Sequence, residues 1–369
     1  MVPLLDLRAA HEEVQDEIES AVLEVLRSGL YVGSDVVTAF EHAWADFTES
    51  EHCIGVGNGL DALTLALLAA GIGPGYEVIV PSHTFIATWL AVTATGAEIV
   101  PVDPAPGAHL IDAEGIQGAL TERTRAIVPV HLYGDLVDLD PILQLASDRG
   151  IVVIEDAAQC HGARYRGRRI GSHGDLVAWS FYPGKNLGAA GDAGAVTTDD
   201  ADLARRVRTL ANYGSPTKYV HTEQGMNSRL DPVQAVVLRV KMKYLDEWNA
   251  RRSTIRDIYL SSLPEAHRLA EGRETDVPVH HLMVIRTSER DRVRTELASS
   301  GIETGIHYPT PPHLQGAYRT MSKTRTWVLP ESEKLARTVL SLPLGPHLDP
   351  AAALTTRDVL LAALARTAS

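Results

Sequence analysis

The chain has 369 residues, 45% of them apolar and 22% charged, a globular balance with material for a large core and, at about 150 residues per domain, for two domains. Lys and Arg number 34 against 47 Asp and Glu, a formal charge of −13, which argues against nucleic acid and anionic membrane as partners but leaves room for a small anion in a local basic pocket. The 29 Gly and 20 Pro are scattered without repeat, which excludes collagen-like and low-complexity architectures.

The segment from Met1 shows no basic region leading into an apolar stretch, so no signal peptide is expected. Val14, Ile18, Val22 and Val25 recur at helical spacing and predict an amphipathic helix over 10–28 that ends at Gly29. Strands are predicted at Glu77–Val80, Glu98–Val102, Ala126–Val130, Ile151–Glu155, Leu176–Phe181 and Gly194–Thr198. Helical stretches near 59–70, 84–94, 112–120 and 138–148 separate the earlier ones. This alternation predicts an α/β fold with a mostly parallel sheet covered on both faces. The uncharged run Val78–Ala97 contains Pro81, Ser82, His83 and four threonines, a composition that suits a buried strand–turn–helix and not a membrane span.

Residues 212–230 are polar and rich in Gly, Asn and Ser, and predict a long loop. Asp231 and Pro232 then suit the N-cap and first residue of one long helix running to about Leu263, stopped by Pro264. A strand (His281–Arg286), a helix (Glu289–Ser300), a turn (Pro309–Pro312) and a last helix (Ala351–Ala365) predict a smaller α+β domain. The expected division is a large domain over 1–245 and a small one over 246–369, joined by the helix 231–263. Cys53 and Cys160 have no metal-ligand spacing, so neither a disulfide framework nor a metal site is expected, and a reducing cytoplasm is.

Three segments carry chemistry. Gly55-Val56-Gly57-Asn58-Gly59-Leu60 superficially matches the dinucleotide fingerprint, but its last glycine falls on Leu60 and no acidic residue ends a clear second strand about 20 residues on. Asn58 and Gly59 instead open a helix with an apolar face of Leu60, Leu63 and Leu67, either an ordinary helix start or a phosphate seat made by free amides. Asp156 ends the strand Ile151–Glu155, where open α/β sheets bind ligands; it either serves a ligand, caps the next turn or meets an Arg. Lys185 follows an apolar strand in a turn constrained by Pro183 and Gly184. A lysine partly desolvated there has a lowered pKa and becomes an amine nucleophile able to form a Schiff base. Ser180, five residues earlier, can donate a hydroxyl to a phosphate. Lysine, acid and phosphate donors together are what pyridoxal 5′-phosphate needs for its aldehyde, its ring nitrogen and its phosphate.

The segments Gly57–Leu63, Pro81–Ala87, Pro129–Gly134, Glu155–Gln159, Ser180–Gly188 and Asn227–Asp231 make the chain resemble the fold-type I, pyridoxal-phosphate-dependent sugar aminotransferases of the DegT/StrS group, over residues of about 3 to 350. The resemblance implies a seven-stranded large-domain sheet, and is greatest to enzymes that aminate C3 of a nucleotide-linked 3-keto-6-deoxyhexose. It implies L-glutamate as donor, a dTDP-linked acceptor and ping-pong transamination. By this resemblance Lys185 carries the cofactor and moves the proton, Asp156 pairs with the ring nitrogen, Gln159 bonds the ring oxygen and Phe85 stacks on the ring. Gly59 and Leu60, with Ser180, hold the phosphate, and Asn227 reaches the phosphate of a neighbouring subunit in a homodimer with shared sites. Tyr182, Lys218, Tyr219, Arg229, His307, Tyr308 and His313 are the implied sugar-nucleotide residues. Leu60 and Ala193 depart from the group's usual hydroxyl residue and glycine.

Other residues have plainer expectations: a solvated hairpin for Arg164–Arg169, packing for Cys160, structural pairing for His131 and Tyr133, and a place behind the site for His161. Rival functions are the same chemistry at C4 or on a keto-cyclitol, a dehydratase with histidine in place of the lysine, and a non-catalytic regulator.

Overall fold

The computed structural model describes residues 1–270, 272–319 and 327–366. Where one helix was expected over 10–28 there are two, α1 (Leu7–Glu12) and α2 (Gln15–Ser28), because Asp6 starts the first early by accepting the amides of Arg8 and Ala9. Gly29 closes α2 at φ 71°, a left-handed conformation in which glycine carries no Cβ penalty. Next comes α3 (Asp35–Thr48), not anticipated from sequence, whose buried Phe40 and Trp44 pack edge-on against Phe181, just ahead of Lys185.

Strands and helices then alternate: β1 (His52–Val56), α4 (Gly59–Ala69), β2 (Glu77–Pro81), α5 (Ile86–Thr95), β3 (Glu98–Val102), α6 (Ala113–Ala119), β4 (Thr124–Ile127), α7 (Leu139–Ser147) and β5 (Val152–Asp156). A short hairpin, β6 (Arg164–Tyr165) and β7 (Arg168–Arg169), leads to β8 (Leu176–Ser180), β9 (Gly194–Thr198) and α8 (Ala201–Ala211). Seven strands form one sheet in the order β1-β9-β8-β5-β4-β2-β3. Only β9 runs antiparallel to its neighbours; the other pairings are parallel. Because side chains alternate across a strand, Ile79 and Val153 enter one core with Phe40 and Trp179, while Val80 and Ile154 enter a second with Leu65 and Trp89. Both faces of the sheet are thereby covered, as the apolar strands require. Val78–Ala97 folds as β2, a turn and α5, and among the described residues no helix is long and apolar enough to cross a membrane.

The hairpin differs from expectation at Arg169. Its guanidinium is buried, bonds Asp246 at 3.0 and 2.6 Å, donates to the Gly162 carbonyl and lies 4.0 Å over the Phe47 ring. The long helix is also broken, into α9 (Pro232–Met242) and α10 (Leu245–Leu260). Lys243 and Tyr244, at the break, both bond Glu17 of α2. Asp231 stands at the N-cap position without a side-chain capping bond. Ile255 and Tyr259 of α10 enter a separate core with the antiparallel pair β10 (Met283–Arg286) and β11 (Val339–Leu342). Around them lie α11 (Arg290–Ser299), α12 (Pro330–Thr338), which feeds β11, and α13 (Pro350–Ala365).

Candidate active site

The chain segments that leave the carboxyl ends of β1, β2, β5 and β8 meet around one cavity of about 640 Å³. At its β1 corner the Asn58 side chain caps α4 by accepting the Asp61 amide at 2.9 Å. Ser228 clamps the same turn, accepting the Gly57 amide at 2.9 Å and donating to Asp61 at 2.6 Å. The amides of Gly59 and Leu60 are the first two of α4 and have no intrahelical acceptor, so they face the cavity's edge at the positive end of the helix dipole. A Cβ on Gly59 would lie 2.6 Å from Ser180 Cβ. Glycine alone lets the start of α4 meet the end of β8, and an anion held by both amides and the Ser180 hydroxyl needs that closeness. Gly55, by contrast, serves packing, since a Cβ there would lie 2.8 Å from Leu230 Cβ.

Asp156 is buried at the end of β5 and accepts hydrogen bonds from Thr88 Oγ1 (2.9 Å) and the Ala158 amide (3.2 Å). Burial pushes its carboxyl upward, and these bonds with the charge of Lys185 oppose the rise. Among the described residues no Arg pairs with it, and the foremost charge favouring its ionised form is that of Lys185. Gln159 Oε1 accepts the Tyr133 amide at 2.6 Å, and Nε2 donates to the Tyr308 hydroxyl at 3.1 Å, leaving one Nε2 hydrogen for a ligand. Tyr133 has φ 63°, held there by its amide bond and by its hydroxyl, which meets His83 Nε2 at 2.7 Å and the His307 carbonyl.

Lys185 sits in the turn after β8. Its amide donates to the Tyr182 carbonyl and Ala189 returns a bond to Phe181, both at 2.8 Å. Gly188 is obligatory, because a Cβ there would lie 2.2 Å from the Pro183 carbonyl oxygen. Burial lowers the Lys185 amine to about 8, with Asp156 acting in the opposite sense. Phe85, leading α5, is exposed to the cavity with its ring tilted against Tyr308 at 5.4 Å. Tyr182, His307 and Tyr308 join the lining.

Five expected residues lie elsewhere. Lys218 stacks on Tyr219 at 5.1 Å in the exposed loop, and Asn227 pairs with Asn212 across it. Arg229 lies 5.6 Å from the Tyr213 ring, and His313 is buried against Glu333 at 3.3 Å. The loop turns the first four away within this chain, and Glu333 of α12 holds the last. Cys160 is buried, and His131 pairs with Glu155 at 2.9 Å. His161 packs among Trp44, Trp179 and Phe181, pushed by burial to about 3 and hence neutral. Sequence reasoning missed Leu4, Leu5 and His281 in the lining and Thr88 behind Asp156. The only available signal was the His280-His281 pair ahead of an apolar strand; tertiary folding alone brings in the others.

An amine lowered toward neutrality, a buried carboxylate and an amide-rich anion seat suit the aldehyde, ring nitrogen and phosphate of pyridoxal phosphate. The model of the DegT/DnrJ/EryC1/StrS aminotransferase family matches residues 12–358. The chain is 51% identical to a dTDP-3-amino-3,4,6-trideoxy-alpha-D-glucose transaminase of Streptomyces venezuelae, over 97% of this chain and 94% of the relative. It is 49% identical to the erythromycin biosynthesis sensory transduction protein EryC1 of Saccharopolyspora erythraea, over 95% and 96%. The crystal structure of S. venezuelae DesV in complex with a ketimine intermediate superposes with a TM-score of 0.94 at 50% identity, covering 97% of both chains. Another solved structure of this fold holds the pyridoxamine form of the cofactor. The chain belongs to the DegT/DnrJ/EryC1/StrS aminotransferase family and is a transaminase that uses pyridoxal 5′-phosphate.

Proposed function

We propose that this enzyme transfers the amino group of L-glutamate to C3 of a dTDP-linked 3-keto-6-deoxyhexose, giving a dTDP-3-amino-3,6-dideoxyhexose, and works as a homodimer with shared active sites. The observation that carries the reading is the convergence of Lys185, Asp156 and the Gly59–Ser180 seat on one cavity. The S. venezuelae relative, named for nitrogen at C3 of a dTDP-linked deoxyhexose, supports the substrate class.

Bound pyridoxal phosphate supplies the electron sink. The Gly59 and Leu60 amides and the Ser180 hydroxyl would hold its phosphate, Phe85 would pack on its ring, and the spare Gln159 hydrogen would serve the ring oxygen. Asp156, ionised once it faces a cation, keeps the proton on the ring nitrogen. Lys185 anchors the cofactor and, when released, takes the proton from the donor's α-carbon; an amine near 8 has a useful share of free base close to neutrality. Tyr182, His307 and Tyr308 face the sugar. Asn227, Lys218, Tyr219 and Arg229 belong to the neighbouring subunit's site, and their place outside this chain's own cavity supports that assignment. The exposed apolar run Leu23, Leu26, Leu30, Tyr31 and Val32 supports a second copy as its cover.

The test is incubation of the purified protein with L-glutamate and a dTDP-3-keto-6-deoxyhexose, with NMR of the product. Nitrogen on C3 is expected. Turnover only with a 4-keto sugar or a keto-cyclitol would replace this substrate, and no 2-oxoglutarate with any keto sugar would favour a regulator.

A further inference from the structure

Asn186, next to Lys185, is buried, and its Nδ2 donates to Asn249 Oδ1 at 2.8 Å and to the Val279 carbonyl at 2.9 Å. The Val279 carbonyl can only accept, so it fixes which end of the Asn186 amide is nitrogen. Asn249 is fixed in the same way, its Nδ2 donating to the His161 carbonyl at 2.9 Å. Both Nδ2 hydrogens of Asn186 are thus used, and its Oδ1 can only accept. His281 Nδ1, 3.0 Å from that oxygen, must therefore carry a proton. An uncharged imidazole protonated at Nδ1 has its lone pair on Nε2. No described residue bonds that Nε2, and the ring lines the cavity together with Lys185.

We propose that His281 positions the Lys185 amine: with the cofactor bound and the amine released from it, Nε2 accepts a hydrogen bond from Lys185 Nζ, which fixes the direction of the nitrogen lone pair. This rests on Lys185 being the cofactor lysine. The groups facing His281 favour an acceptor that takes no proton. Burial is the foremost cause opposing its protonation, and the charges of Lys185 and of Arg252 on α10 come next, ahead of the smaller effects of His161 and His307. The proton drawn from the substrate accordingly stays on Nζ, ready to be returned, and is not passed to the imidazole. Lys185 itself feels the charge of Asp156, which favours the ammonium form against burial.

The test uses full-length protein loaded with pyridoxamine 5′-phosphate, in which Lys185 is free. Trace acetylation with acetic anhydride across pH, read by mass spectrometry on the Lys185 peptide, gives the amine's midpoint without reference to turnover. His281→Asn keeps a donor toward Asn186 but is too short to bring its Oδ1 to where Nε2 stood, and His281→Leu fills the space with no acceptor at all. Losing an acceptor weakens the ammonium more than the amine, so both variants lower the midpoint, by about one pH unit. His281→Gln returns an acceptor to the cavity and restores the native midpoint. Unshifted midpoints in His281→Asn and His281→Leu, or a His281→Gln shift as large as theirs, overturn the assignment. Equal labelling of native Lys185 with pyridoxal and pyridoxamine phosphate bound would instead sink the cofactor lysine itself, and this inference with it.

Discussion

A lysine that must first hold an aldehyde and later accept a proton needs an amine that is not locked as ammonium, and Lys185 obtains this from its surroundings. Its depressed value has a consequence in cofactor-free protein. Between about pH 8 and 10.5 the unfolded lysine keeps its proton and the folded one has lost it, so the unfolded state binds more protons and stability rises with pH. The rise from this one group is at most about 3 kcal/mol, less to the extent that the amine is open to the cavity. Urea titrations across that window should show a flatter slope in Lys185→Met than in the native chain; identical slopes would contradict the buried amine. At the phosphate end, Gly59→Ala drives a methyl to within 2.6 Å of Ser180 Cβ. Parting α4 from β8 loses charge-assisted bonds, so cofactor affinity should fall about 10- to 100-fold in a spectrophotometric titration. An unchanged dissociation constant would mean the phosphate sits elsewhere.

Elements differ in how openly the sequence declares them. Strands such as Val152–Asp156 are short β-branched runs buried on both faces, so composition and length announce them, and with them the place of Asp156. β1 (His52–Val56) escaped notice because Gly55 interrupts the run, and that glycine is there only to admit Leu230. α9 and α10 read as one helix because their apolar spacing continues through Lys243 and Tyr244; the bonds of both to Glu17, more than 200 positions away, have no local signature. Thr88 likewise reads as one threonine of a run, and only tertiary folding sets it against Asp156. The Arg169 clamp belongs to the same class, since its partners lie on the loop at Gly162 and at the start of α10. Arg169→Ala should cost about 2 kcal/mol in urea denaturation, at the lower end for charged pairs because Asp246 is largely exposed. A loss below about 0.5 kcal/mol would return the hairpin to the solvated role its composition suggests.

At the scale of the whole molecule, Gly59, Leu60, Phe85, Asp156, Gln159, Ser180 and Lys185 line one cavity, whereas Asn227, Lys218, Tyr219 and Arg229 lie outside it. Shared sites in a homodimer predict complementation. Lys185→Ala and Asn227→Ala each lose most activity alone, but unfolding and refolding them together gives mixed dimers in which one site is intact, recovering about a quarter of native turnover. No recovery would assign each site to a single chain. Whether one amine in the turn after β8 carries the cofactor is decided by reducing the yellow holoenzyme with borohydride and mapping its peptides by mass spectrometry. The expected result is a stable phosphopyridoxyl group on Lys185 and on no other lysine; a label elsewhere, or none, would contradict the account.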